Sequence, residues 1–121
     1  MGLFNFWKQK LNESRKQPED FYDILITNEL VSISHPRFGK EAILWKEIDQ
    51  IKIITTNEGP FLPDLWIGLF GKMNKCRLPQ GAKGYDEVYD IISMYENFNF
   101  ENMIAAATST DNNEFLVWER T

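Results

Sequence analysis

The chain has one cysteine and one histidine among its 121 residues. A lone Cys76 closes no internal disulfide, so the fold does not rest on one, and the composition suits a reducing compartment. A lone His35 leaves a metal site or a nucleophile–base–orienter triad short of partners. No metal site, no cofactor and no catalytic constellation is therefore expected. No apolar run approaches the roughly 20 residues that cross a bilayer. The first residues also lack the apolar core and cleavage site of a secretory signal. These features make a cytoplasmic protein the expectation.

Basic residues are scarce in the last third. After Lys83 only Arg120 stands against eight acids (Asp86, Glu87, Asp90, Glu96, Glu101, Asp111, Glu114 and Glu119), a net −7. Residues 1–83 carry twelve Lys/Arg and ten Asp/Glu, a net +2. Phosphate binding needs clustered cations, so the acidic third argues against nucleic acid. It favours a basic protein partner, although a solvated acidic helix face also serves solubility alone.

The chain is 43% hydrophobic and 14% aromatic, which is the composition of a folded domain. Its length fits a single one. Residues 1–17 form an amphipathic opening, with Leu3, Phe4, Trp7 and Leu11 on one helical face and Phe6 beside them. Lys8, Lys10, Arg15 and Lys16 make it basic. Two readings fit: Leu3, Phe4, Phe6 and Trp7 touch a membrane interface, or the helix packs on the domain or on a second subunit. Phe6 stands where a myristoylation signal needs Ser or Thr. Pro18 ends the segment, and residues 18–121 read as one α+β domain.

Period-2 patterns then follow one another. Ile24–Ile26 and Val31–Ser34 flank a turn at Thr27-Asn28-Glu29. Ala42–Trp45, Ile51–Thr55, Leu65–Phe70 and Cys76–Leu78 read as four more strands, with β-branched residues prominent in the fourth. The nearly continuous apolar run 65–70 belongs at the centre of a sheet. From Tyr85 the period turns helical, with Tyr85, Val88, Ile92 and Tyr95 on one face. Asn99 caps a second helix, 100–107, whose Phe100, Met103, Ile104 and Ala107 share a face. Phe115–Trp118 is a last short strand or an extended return to the sheet. Strands followed by helices imply a mainly antiparallel sheet of about six strands with C-terminal helices. The arrangement is pleckstrin-homology-like by analogy, and a fold does not give a function.

Chemistry-bearing patterns are few. Cys76 alternates with apolar residues and reads as a small buried hydrophobe, and no spacing pairs it with His35. Gly81-Ala82-Lys83-Gly84 precedes a helix but lacks the full phosphate loop, and Asp86-Glu87 would repel an anion there. Glu47/Asp49 and Asp86/Asp90 are acid pairs that read as solvated charge. Glu58 to Trp66 is the richest stretch. Gly59-Pro60 marks a turn, and Phe61, Leu62, Leu65 and Trp66 bring more apolar surface than a bare loop carries. It either lids the core or presents a recognition patch, in which Asp64 beside Trp66 suits an interface anchor.

Several segments together carry a resemblance. Thr55-Thr56-Asn57-Glu58-Gly59-Pro60, Pro63-Asp64-x-Trp66, Leu78-Pro79-Gln80-Gly81-Ala82, Phe98 to Ala107, Ser109-Thr110-Asp111-Asn112-Asn113 and Phe115-x-x-Trp118 form one set. The set resembles a group of short uncharacterised bacterial proteins over roughly residues 22 to 121, a resemblance that implies no activity. Small acidic cytoplasmic bacterial domains are also similar in general character to immunity proteins, which neutralise a paired toxin. The expectation is thus a non-enzymatic protein-binding domain that docks a basic partner. Asp86, Asp90 and Glu96 would supply charge, and Asp64 and Trp66 the anchor. A peripheral membrane or scaffold module is the alternative, and an enzyme the third possibility.

Overall fold

The computed structural model describes residues 18–57 and 64–121. The amphipathic opening with Leu3, Phe4, Phe6 and Trp7 lies outside them, as does the Gly59-Pro60 turn. The described residues form seven strands: β1 (Asp23–Ile26), β2 (Leu30–His35), β3 (Gly39–Leu44), β4 (Gln50–Thr55), β5 (Leu65–Phe70), β6 (Lys75–Pro79) and β7 (Asn113–Glu119). Helices α1 (Tyr85–Ser93) and α2 (Phe100–Ala107) lie between β6 and β7. The strands form two antiparallel sheets, one ordered β1-β2-β3 and the other β6-β5-β4-β7. The single sheet of about six strands expected from the sequence is thus two sheets, and the C-terminal segment is a full strand beside β4.

Local chemistry explains the turns. Thr27 closes the first hairpin by taking the Leu30 N–H on its hydroxyl at 3.0 Å, while the Leu30 carbonyl accepts the Thr27 N–H at 2.9 Å. At the second hairpin His35 Nδ1 accepts the N–H groups of Arg37 (2.9 Å) and Phe38 (3.2 Å). Gly39 then enters β3 at φ +86°, a left-handed conformation that glycine adopts without strain. Trp45–Glu47 forms a 3-10 turn instead of extending β3. Glu47 holds that turn, accepting from Leu44 N–H at 3.1 Å and from the Asn74 amide at 3.1 Å. A side chain at Gly71 would place its Cβ 2.6 Å from the Glu47 carbonyl oxygen, so the β5–β6 turn packs here only as glycine.

The core lies on one face of the four-stranded sheet. Ile51, Ile53 and Thr55 pair with Leu69, Ile67 and Leu65, all pointing to the buried side. Cys76 and Leu78 extend the layer, and Val31, Ile33, Ile43 and Ile48 close it from the first sheet and its connection. Helix α1 buries Tyr85, Val88 and Ile92, as its spacing predicts. Helix α2 is capped by Asn99, whose side chain accepts the Asn102 N–H at 2.9 Å. Its expected face is corrected in part: Met103 packs against the core, but Phe100 and Ile104 are 52% and 65% exposed, Ala107 is exposed, and Ala106 is the residue that is buried. The helix is short and packs mainly on β7, so small Ala106 allows a close approach that the larger side chains would prevent.

Candidate functional site

Alternation sends Ile54, Trp66 and Arg77 to the opposite face from the core residues Ile53, Ile67 and Leu78. The first sheet meets this face where β3 runs against β6. Glu41 of β3 makes the junction. Its carboxylate accepts the Arg77 backbone N–H at 3.0 Å, Arg77 Nε at 3.2 Å and Nη2 at 2.7 Å. A planar guanidinium matched to a carboxylate in two places is directional as well as attractive. The side chains are 47% (Arg77) and 24% (Glu41) exposed, so water screens the pair and its net strength is modest.

Four rings build the walls. Tyr22 meets Trp66 edge to face, with centroids 5.6 Å apart and planes at 90°. Tyr22 also lies against His35 at 4.5 Å, and Phe38 stacks on His35 at 4.5 Å and 27°. Such pairs add about 0.5–1.5 kcal/mol each beyond burial. Together with Ile33 and Ile54 they enclose a cavity of about 510 Å³ between the sheets. Phe38 is 65% exposed at its rim, and Phe21, 44% exposed, stands 6.3 Å from the His35 ring. With Nδ1 accepting two backbone N–H groups, His35 carries its proton on Nε2.

The titrating groups near this junction are shifted for physical reasons. Burial raises the Tyr22 phenol, with Arg77 opposing and Glu41 adding to the effect. Arg77 is raised chiefly by its hydrogen bond to Glu41. Burial, and then the negative charge of Glu41, push the Cys76 thiol up to about 12. At neutral pH Cys76 is therefore a protonated core residue and not a nucleophile. A stability consequence follows. The folded thiol keeps its proton while the unfolded thiol loses it above 9.0, so this stability is intact below 9.0 and lost between 9.0 and about 12. The loss is about 1.4 kcal/mol per pH unit from this group, and the buried Tyr85 phenol, also raised, acts in the same direction. Urea midpoints from pH 8 upward should fall more steeply for the native chain than for Cys76→Ala. Parallel slopes would count against this burial.

The structure separates the residues singled out in the sequence. Trp66 lines the cavity. Asp64 is exposed two positions earlier, where its carbonyl accepts the Thr56 N–H at 2.8 Å. Asp86 and Asp90 are exposed on α1. Glu96 is exposed beyond α1, in a more open groove with Tyr95, Trp118 and Arg120, and its carbonyl accepts the Trp118 indole N–H at 3.1 Å. Among the described residues the ion pairs are Lys52–Glu114, Arg77–Glu41 and Arg120–Asp49, and Asp86, Asp90 and Glu96 have none. No group of three or more potential metal ligands occurs among the described residues. No helix there is long and apolar enough to cross a membrane. Sequence reasoning missed Tyr22, Phe38, Glu41 and Arg77 and treated His35 only as a lone histidine without catalytic or metal partners. Only the long-range meeting of β3 with β6 gathers them. The chain matches no protein-family model, no curated protein and no solved structure.

Proposed function

We propose that the protein is a non-enzymatic protein-binding domain that seats a side chain of its partner in the aromatic cavity between the sheets. The observation that carries this reading is the cavity itself, with Trp66 in its wall and Phe38 exposed at its rim. Its polar groups favour binding over catalysis. Glu41 is engaged by Arg77 and His35 Nδ1 is held by two backbone N–H groups, while the Cys76 thiol is buried on the core side, outside the cavity lining. None is left as an activated nucleophile beside a base.

The acidic surface supports a basic partner. Glu114, Glu41 and Asp49 have ion-pair partners, whereas Asp86, Asp90 and Glu96, like most acids of the last third, stand exposed without an ion pair among the described residues. In its sharpest form the partner is a basic toxin and the protein its immunity factor. Charge complementarity of this kind raises the association rate and is weakened by salt.

The test is affinity capture with the tagged full chain, run beside Trp66→Ala and the triple reversal Asp86→Lys, Asp90→Lys, Glu96→Lys. One basic protein should be retained stoichiometrically by the native chain, released by rising salt and retained less by both variants. Equal retention by all three chains would refute the reading. Recovery with membranes instead, dependent on residues 1–17, would favour a peripheral membrane module.

A further inference from the structure

We infer that the group the cavity accepts is an uncharged aromatic ring, presented as a side chain of the protein partner. The inference rests on the proposed role of the cavity as the recognition site, and it follows from charge, shape and size.

Charge excludes ions of either sign. The acid and the base in the lining, Glu41 and Arg77, neutralise one another through the carboxylate–guanidinium pair at 2.7 Å and 3.2 Å. An entering cation would meet the Arg77 guanidinium, and its attraction to the ring faces would be offset by that repulsion. An entering anion would find a guanidinium already matched to a carboxylate and the negative faces of aromatic rings. An ion there would also give up its water without a free counter-charge, which costs far more than seating a neutral group.

Shape selects a plane. Tyr22 and Trp66 stand at 90°, so a flat ring that lies parallel to one presents its edge to the other. Both arrangements are favourable for aromatic pairs. Phe38, stacked on His35 at the rim, extends the same surface outward. Ile33 and Ile54 supply apolar contact. A cavity of about 510 Å³ holds a bicyclic ring and its linker but no element of secondary structure.

The experiment titrates the full chain, with ¹³C-labelled isoleucine methyls, against N-acetyl-tryptophanamide, indole, tryptamine and indole-3-acetate. Saturable shifts centred on Ile33 and Ile54 are expected with N-acetyl-tryptophanamide and indole, in the range of about 1–10 mM for ligands of so few atoms. Tryptamine and indole-3-acetate should bind about tenfold more weakly, for the desolvation of their charge. Phe38→Ala, an exposed position whose loss leaves the core intact, should weaken N-acetyl-tryptophanamide about fivefold. Absence of saturable shifts at Ile33 and Ile54, equal affinity for the charged analogues, or no effect of Phe38→Ala would each overturn the inference. Binding of indole with exclusion of N-acetyl-tryptophanamide would overturn the side-chain assignment in favour of a free small molecule. If N-acetyl-tryptophanamide saturates the cavity as expected yet fails to displace a captured partner, the cavity chemistry stands and the proposed docking role falls.

Discussion

Replacing Ile53 with alanine should lower the free energy of unfolding by about 3 kcal/mol, the middle of the range for truncating a fully buried isoleucine. Ile53 has no exposed surface and sits between Ile67 of β5 and Phe115 of β7. Neighbours pinned in two ladders have little freedom to collapse into the space left behind, so the cavity cost adds to the lost transfer energy. The adjacent Ile54 faces the other way and is half-buried, so Ile54→Ala should cost about 1 kcal/mol, set mainly by the smaller apolar area it removes from water. Urea midpoints of the two variants, taken at equal m-values, give the comparison. Equal losses would mean that the sheet does not divide into a core face and a cavity face at this strand.

Trp66→Ala should weaken partner capture by about thirtyfold to hundredfold, the effect of removing a centrally placed tryptophan from a recognition site. The effect has two parts. Truncation removes a wall of the cavity, and it also frees Tyr22, whose ring is held at right angles against the indole. Trp66→Phe should restore a substantial share, because a flat face survives at the same register opposite Ile54. The melting temperature should fall only modestly, since Trp66 is not part of the buried cluster. An affinity unchanged in Trp66→Ala, with the fold intact, would remove the cavity from recognition.

Much of the fold is legible from local pattern. The hairpin at Thr27–Leu30, the apolar run of β5, the buried face of α1 and the Asn99 cap all follow from residues a few positions apart. What fails is what depends on distant partners. Phe100 and Ile104 fit a helical stripe, yet the short helix leans on β7 through Ala106. Nothing near Trp45 says that the chain will turn there, because the turn is held by Glu47 and by Asn74 across the β5–β6 connection. Division into two sheets is equally invisible, since alternation gives the faces of a strand and not its neighbours.

The site is legible only in part. Trp66 stands out in the sequence because it sits in a strand beside turn residues and acids. Glu41 and Arg77 are 36 positions apart, and Tyr22 precedes β1 while Trp66 belongs to β5 of the other sheet, so neither pair leaves a spacing signal. The acids Asp86, Asp90 and Glu96 are conspicuous in sequence because charge is countable, but the fold does not bring them into the cavity with Trp66.

The hydrogen bonds of Glu41 bear on more than the cavity. β6 is an outer strand of its sheet, the kind of border that can template an added strand, and β3 of the first sheet runs against it. The Arg77 N–H, midway along that border, is occupied by a carboxylate of the same molecule. A second copy seeking to add a strand would have to displace an anion and break an ion pair before its first ladder bond could form. One acidic side chain thereby takes up a ladder position that an added strand would need.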